Sequence, residues 1–183
     1  MSVMTVLPQR HHRPFTRADL ESRPDDGRRY ELIEGEIIVT PLPSLPHQRV
    51  AGRLYRLLDD AAPDDAEAFA APVAVFPAED TEMQPDVLVA RCSDLTRKGL
   101  PTAPLLVVEI LSPSTRRFDL SLKRERYERA GALAYWVFDP DRMRLRAWEL
   151  RDGAYVEVAD VTGDEAFETD VPFPVRVVPG ALV

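Results

Sequence analysis

One stretch of this sequence limits the folds open to the chain more than any other. Residues Leu105 to Leu111 read LLVVEIL, an apolar run interrupted only by Glu109. Such a run is typical of a β-strand that is buried on both faces of a sheet. An ionised carboxylate left unpaired there costs several kcal/mol. We therefore expect Glu109 to face a cation, a metal ion or strong donors, or to lie at a strand end where it bonds a neighbouring loop.

Strand-like and helix-like patterns alternate on both sides of this run. Thr16 is a predicted N-cap of a short helix, and Glu34-Gly35 is a predicted hairpin turn. Helical spacing of apolar residues predicts two longer helices, at Val50 to Leu58 and at Asp119 to Ala130. The predicted strands are 29–33, 36–40, 71–76, 87–90, 105–111, 135–138, 145–150, 155–158 and 174–178. This order predicts a mixed α/β fold with helices flanking one central mixed β-sheet and extra strands at the C-terminal end.

Length and composition indicate one domain. The chain has 183 residues, of which 45% are hydrophobic. We expect a flexible N-terminal tail over residues 1–13 and a single domain over residues 14–183. The sole cysteine, Cys92, excludes an internal disulfide and a cysteine-rich zinc site. Because the N-terminus lacks the apolar core of a signal peptide and no stretch approaches ~18 apolar residues, we expect a cytoplasmic protein with no membrane partner.

The net charge of −8 argues at first against a nucleic-acid partner. Its distribution weakens that argument, because nine acidic residues lie in Asp59–Asp86 and seven in Asp152–Asp170, with no basic residue in either stretch. Elsewhere the remaining 15 acidic residues are outnumbered by all 23 basic ones, which leaves a net charge of +8. The densest basic part is Arg116–Arg129, which forms either a nucleic-acid interface or an ordinary solvated helix face.

A second acidic residue is placed to act with Glu109. Asp86 follows Pro85 and opens the short predicted strand VLVA. An aspartate at the start of one central strand and a glutamate within the next can converge on a hard cation such as Mg²⁺, which prefers one or two carboxylates plus water. The alternative for Asp86 is a plain turn residue after proline.

Lysine is rare in this chain, which makes its position informative. Of the 23 basic residues only Lys98 and Lys123 are lysines. Leu120, Lys123, Tyr127 and Ala130 follow one another at spacings of three, four and three, so Lys123 is predicted to lie on the inward stripe of its helix. The alternative is a lysine at the edge of that stripe whose ammonium reaches water.

Asp86, Glu109 and Lys123 together suit metal-assisted hydrolysis of a phosphodiester. The two carboxylates would hold the metal ion, the ion would activate water, and the lysine would position that water or help to deprotonate it. Arginines at the side of the site would then bind backbone phosphates.

The same residues carry a resemblance to a known family. They stand in an ordered series: Pro85-Asp86, VVEILSPST at 107–115, Asp119, Lys123, Tyr127, Gly131, Tyr135-Trp136 and Asp139-Pro140. The N-terminal part adds YELIEGE at 30–36 and His47. Over roughly residues 13–141 the chain resembles the Uma-two family of restriction-endonuclease-like proteins, within the PD-(D/E)XK nuclease superfamily.

The resemblance implies a restriction-endonuclease-like core and a Mg²⁺-dependent nuclease site, in which Mn²⁺ can substitute. Asp86 and Glu109 would be the metal ligands, with Glu31 as a third acidic contact. Leu111 stands where the superfamily places its lysine, so the helix residue Lys123 is expected to take that role. The basic residues expected to contact nucleic acid are Arg116, Arg117 and Arg124.

We therefore predict an endonuclease that hydrolyses DNA, and we keep two alternatives. One is a catalytically inactive nuclease-fold protein that binds nucleic acid or a protein partner. The other is a metal-dependent hydrolase of a small phosphorylated molecule, which the acidic net charge favours. The strand-rich C-terminal part predicts a homodimer. His47 is predicted to cap or pack against its helix rather than to act in the chemistry.

Overall fold

The computed structural model of the protein describes residues 5–7, 13–24, 26–113 and 115–183. The strands are β1 (Thr5–Val6), β2 (Arg29–Ile33), β3 (Glu36–Thr40), β4 (Ala66–Ala70), β5 (Val75–Ala78), β6 (Thr81–Met83), β7 (Val87–Arg91), β8 (Leu106–Ile110), β9 (Ala134–Asp139), β10 (Arg144–Arg151), β11 (Ala154–Thr162), β12 (Phe167–Thr169) and β13 (Val175–Val177). The α-helices are α1 (Arg17–Glu21), α2 (Leu45–Ala61), α3 (Arg116–Phe118) and α4 (Arg124–Ala130). A π-helical turn (Asp119–Lys123) joins α3 to α4, and 3₁₀ turns lie at Cys92–Asp94 and Pro179–Leu182.

The centre of the molecule is a six-stranded mixed sheet in the order β11-β10-β9-β8-β7-β4. Only the central pair, β8 and β9, is parallel, and every other neighbouring pair is antiparallel. The strands β10 to β13 extend the fold after its central pair. The predicted mixed α/β fold with a central mixed sheet and extra C-terminal strands is therefore confirmed.

Both faces of the central sheet are covered, as the apolar run around Glu109 predicts. Along β8, Leu106, Val108 and Ile110 belong to the core on the α2 face. Val107 belongs to the core on the opposite face, under α4. That second face is also covered by a five-stranded sheet in the order β1-β3-β2-β6-β5, which the sequence patterns did not predict as a separate layer. Alternation along β8 turns Glu109 toward this second face.

Helix α2 is longer than the three turns that its apolar spacing predicts. Its N-cap Ser44 accepts a hydrogen bond from the backbone N–H of His47 at 3.4 Å, which satisfies a free donor of the first turn. The buried stripe includes Val50, Leu54 and Leu58, which pack on the sheet. The first turn of this 17-residue helix lies beside Asp86, because His47 in that turn bonds the Asp86 carboxylate.

The predicted hairpin between β2 and β3 is confirmed. Glu34 and Gly35 both have positive φ, 52° and 75°, which is the backbone of the tight turn that matches strand twist. A Cβ on Gly35 would lie 2.5 Å from the Cβ of Pro14, so only glycine fits this close approach. The hairpin fixes the direction in which the side chains of β2 point.

Two sequence predictions of local structure were wrong in part. The predicted strand 71–76 begins only at Val75, because Pro72 has no N–H to give to a ladder. The helix predicted from Asp119 begins at Arg116 and contains the π-helical turn. The short strands β4, β6 and β12 were not predicted, since their sequences AEAFA, TEM and FET lack a run of β-branched residues.

Within the stretch expected to be a flexible tail, Thr5–Val6 pairs with β3 through Thr5↔Val39 and Val6↔Ile38. Residues 1–4 and 8–12 of that stretch lie outside the described residues. In the part of the chain that the structure describes, no helix is both long enough and apolar enough to cross a membrane.

The packing of α2 on the central sheet should contribute strongly to the free energy of unfolding. Leu54→Ala removes a fully buried side chain and should lower the free energy of unfolding by about 2–5 kcal/mol. Leu45→Ala makes the same change on the same helix at a position that is 83% exposed, so it should cost less than about 0.5 kcal/mol. Urea unfolding of both variants measures the difference, and equal losses would contradict this packing.

Candidate active site

The sheet brings Asp86 and Glu109 together, as the sequence predicts. Asp86 directly precedes β7, and Glu109 lies on the neighbouring strand β8, where Val87 pairs with Val108. The backbone N–H of Ile110 donates to Asp86 Oδ2 at 2.8 Å, which ties the aspartate to the residue after Glu109. Both carboxylates are buried, Asp86 at 4% exposure and Glu109 at 1%.

Lys123 completes this cluster from the helix side. Its Nζ lies 3.1 Å from Glu109 Oε1, 3.0 Å from Glu31 Oε1 and 3.8 Å from Asp119 Oδ1. The side chain is only 1% exposed, so it belongs to the inward stripe and does not reach water at the edge of the stripe. Tyr127 on the same stripe is also buried, whereas the predicted stripe members at 120 and 130 are half-buried.

The surroundings of Lys123 keep it protonated. Burial alone would lower its pKa, but Glu109, Glu31 and Asp119 together raise the pKa above its ordinary value. The pKa of Glu31 is lowered, because Lys123 and Arg29 overcome the effect of burial. A firmly held ammonium group positions its neighbours but is a poor base, so the predicted help in deprotonating water does not fit this geometry.

Asp86 is held in its ionised form by three donors. Arg29 Nη1 lies 3.1 Å from its Oδ1, and His47 Nε2 lies 3.0 Å from its Oδ2, which also accepts the N–H of Ile110. Burial would raise the pKa of Asp86, but His47, Arg29 and Lys123 lower it well below its ordinary value.

The pKa values of Glu109 and Asp119 are raised, whereas that of Asp86 is lowered. Burial raises the pKa of Glu109 well above its usual range; Lys123 opposes this effect, and Asp119, Asp86 and Glu31 add to it. Burial raises the pKa of Asp119 to about 6, again against the effect of Lys123. One buried oxygen, Asp119 Oδ1, has no hydrogen-bond partner among the described residues. The cluster contains four buried carboxyl groups, those of Glu31, Asp86, Glu109 and Asp119, and two permanent cations, Lys123 and Arg29.

A pocket of about 820 Å³ opens onto this cluster. Its lining includes Asp86, Glu109, Asp119, His47 and Arg29. Lys123 and Glu31 are described residues outside this lining, and both lie in the cluster next to Glu109. The acidic groups that a ligand can meet are therefore Asp86, Glu109 and Asp119.

The donor set of the pocket fits a hard divalent cation with few protein ligands. Asp86 and Glu109 provide carboxylate oxygens, and Mg²⁺ needs only one or two carboxylates plus water. Among the described residues, no three His, Cys, Asp or Glu side chains converge in an arrangement that could hold a metal ion. Glu31, expected as a third acidic contact, is bound instead by Lys123 Nζ and by the N–H of Gln84 at 2.8 Å.

The arginines predicted to contact nucleic acid lie outside the pocket lining. Arg116 forms an ion pair with Asp139, with 2.6 Å between Nη2 and Oδ2. Arg124 lies over the ring of Trp148, with its Cζ 5.1 Å from the ring centroid. Arg117 is exposed on α3. Two of the three guanidinium groups are thus engaged within the protein.

Sequence reasoning missed three members of the site. His47 was expected to cap or pack, yet it bonds Asp86; continuing the inward stripe of α2 by one turn, from Val50 to His47, would have indicated this. Arg29 lies two residues before Glu31 and so shares its strand face. Asp119 lies four residues before Lys123, on the same face of the helical segment.

A protein-family model matches most of the chain. The model of the Uma2 (Uma-two) family, described as putative restriction endonucleases, matches residues 17–178. The chain belongs to the Uma2 family. That membership confirms the resemblance seen in the sequence motifs and supports a nuclease-type function.

A solved structure shares the fold of this Uma2 protein. It is the crystal structure of a putative nuclease belonging to DUF820 from Anabaena variabilis, with a TM-score of 0.70 and 21% sequence identity. The match covers 85% of this chain and 89% of the other. No curated protein is significantly similar to the chain.

The two lysines of the chain provide a direct test of the cluster. Lys123→Met leaves the buried carboxylates of Glu31 and Glu109 without their shared cation, and we expect it to lower the free energy of unfolding by about 3–5 kcal/mol. Lys98→Met removes the same charge from a side chain that is 78% exposed, so it should cost less than about 0.5 kcal/mol. Denaturant unfolding measures both, and a loss below about 1 kcal/mol for Lys123→Met would contradict a buried three-carboxylate contact.

Proposed function

We propose that the protein is a Mg²⁺-dependent DNA endonuclease whose metal ligands are Asp86 and Glu109. The observation that carries this proposal is the buried excess of carboxyl groups at an open pocket, where Asp86 directly precedes β7 and Glu109 lies on the adjacent strand β8. A bound divalent cation would supply the positive charge that the cluster lacks. Membership of a family described as putative restriction endonucleases supports DNA as the substrate.

The two proposed metal ligands, Asp86 and Glu109, are held in different ways. Asp86 is ionised and held in place by three donors, so it is prepared to bind a cation through the edge of its carboxylate that faces the pocket. Glu109 has one oxygen, Oε1, on Lys123, which leaves Oε2 for the pocket. Mg²⁺ bound there would polarise a phosphoryl oxygen and lower the pKa of a water molecule.

Lys123 would act as a positioning residue. Its Nζ joins Glu109 on β8 to Glu31 on β2, so it fixes the direction of the Glu109 carboxylate without touching the substrate. Glu31 then balances the charge of Lys123 and is not a metal ligand in this proposal. A similar supporting role falls to His47 and Arg29, which orient Asp86.

The pocket also favours a second candidate, the hydrolysis of a small phosphorylated molecule. Its volume of about 820 Å³ lies within the range of small-ligand pockets, about 300–1,000 Å³. The same two metal ligands would serve this reaction, so the substrate decides between the candidates. A homodimer and a cytoplasmic location stay predictions from the sequence.

Metal-dependent cleavage is the main expected result. With Mg²⁺ or Mn²⁺ the protein should nick or cut plasmid DNA, and EDTA should stop the reaction. Asp86→Asn and Glu109→Gln should each lower the rate at least about 100-fold, because each removes a metal ligand. The matched exposed changes Asp64→Asn and Glu36→Gln should leave the rate unchanged.

Gel assays of these variants separate the candidates when a small phosphodiester is tested in parallel. Hydrolysis of the small ester alone would contradict the DNA proposal and favour the second candidate. No hydrolysis of either substrate with either metal ion would contradict both and favour a catalytically inactive protein of this fold.

His47 allows a finer test of how Asp86 is held. His47→Ala removes the donor to Asp86 Oδ2, and we expect the Mg²⁺ concentration at half-maximal rate to rise about 10–100-fold. His47→Gln keeps an amide donor and should restore most of the affinity. An unchanged Mg²⁺ requirement in His47→Ala would show that Asp86 does not need this contact.

A further inference from the structure

The outer face of α2 carries three arginines that are aligned along the helix. Arg49, Arg53 and Arg56 are exposed and follow one another at spacings of four and three. These spacings place them on one side of the helix, away from the buried stripe that includes Leu54 and Leu58. Arg49, Arg53 and Arg56 form the α2 basic stripe.

The α2 basic stripe differs from most other arginines of this acidic protein. The majority of described arginines form ion pairs, as Arg144 does with Asp160. Within the described part of the chain, no carboxylate pairs with Arg49 or Arg56, and Arg53 donates only to the backbone oxygens of Ala181 and Val183. No described side chain neutralises the stripe, but Arg53 is bound to Ala181 and Val183, so Arg49 and Arg56 are its groups most open to an external anion.

The stripe surrounds a shallow depression of about 630 Å³. Gly52 lies among the three arginines, and nothing stands within 4 Å of the place where its Cβ would be, so the helix backbone is open to a bulky group there. The depression ends at Asp60 on one side. On the other side it reaches Gln48, which also lines the pocket that contains Asp86.

The α2 basic stripe begins near the pocket along the helix axis and extends away from it. His47 bonds Asp86, and at 1.5 Å per residue Arg49 lies about 3 Å and Arg56 about 13 Å farther along the helix axis. A strand of B-DNA advances 3.4 Å per nucleotide. Arg49 and Arg56 are about 10 Å apart along the axis, so the stripe spans about three nucleotides. It lies on the side of α2 away from His47 and is connected to the pocket through Gln48.

We propose that the α2 basic stripe is the track on which the DNA backbone leaves the pocket, an inference that rests on the proposed function. Guanidinium groups bind phosphate oxygens with two parallel hydrogen bonds, which suits repeated phosphates. Continuity with the pocket through Gln48 favours a nucleic acid over an unrelated anionic partner. The stripe takes the place of Arg116 and Arg124, whose guanidinium groups face Asp139 and Trp148.

The test is binding of a fluorescent 30-base-pair DNA duplex, measured by anisotropy with Mg²⁺ across a salt series. All proteins carry Asp86→Asn so that the duplex stays intact. The test variant combines Arg49→Gln, Arg53→Gln and Arg56→Gln. The control combines Arg97→Gln, Arg151→Gln and Arg176→Gln, which removes the same charge from exposed positions elsewhere. Urea unfolding checks that both triple variants fold.

The stripe variant should weaken binding at least tenfold at ~0.1 M salt and reduce the slope of log affinity against log salt by about 2–3, since each phosphate contact contributes about 0.9. The control should keep the affinity and slope of its parent. Equal effects in both triple variants, no effect in either, or no binding by the parent would overturn the inference. So would binding of the parent to vesicles with anionic headgroups but not to DNA.

Cleavage by the protein without Asp86→Asn separates this inference from the proposed function. If that protein cuts DNA and the stripe variant binds as its parent does, the stripe inference fails and the endonuclease proposal stands. If nothing is cut but the stripe variant alone loses DNA binding, the stripe inference stands and the endonuclease proposal fails.

Discussion

The ammonium group of Lys123 lies within 3.1 Å of two buried carboxylates that belong to different sheets. Glu109 comes from the central sheet and Glu31 from the five-stranded sheet, while Lys123 comes from the helical segment between β8 and β9. None of these three charges could be buried alone without a penalty of several kcal/mol. Their mutual contact therefore ties three layers of the fold together at one point and fixes the direction of Glu109.

The chemistry of the site follows from the number of carboxyl groups around this contact, which exceeds the number of cations. Lys123 is shared by Glu31, Glu109 and Asp119, while Arg29 and His47 hold Asp86 in place. The four buried carboxyl groups of Glu31, Asp86, Glu109 and Asp119 outnumber the two permanent cations, Lys123 and Arg29. A hard divalent cation is the partner that such an excess of oxygen donors favours, and a bound cation can promote phosphodiester hydrolysis.

Much of this arrangement could be predicted from local patterns. The run LLVVEIL identifies a doubly covered strand with one anomalous carboxylate, and helical spacing turns Lys123 inward toward it. The contacts of His47 and Arg29 with Asp86 span 39 and 57 residues of sequence, and no local pattern encodes which distant strand a side chain will meet. The strands β4 and β6 were not predicted for a related reason. Their sequences have weak strand preference, and pairing with β7 and with β2 stabilises them.

In the proposed site, Asp86 and Glu109 bind one divalent cation at the floor of the pocket. Anomalous diffraction from crystals grown with Mn²⁺ tests it most directly, because Mn²⁺ accepts the oxygen ligands of Mg²⁺ and gives a signal of its own. The account predicts a single strong peak bonded to carboxylate oxygens of both Asp86 and Glu109. A peak at other carboxylates only, or no peak in the pocket at saturating Mn²⁺, would contradict it.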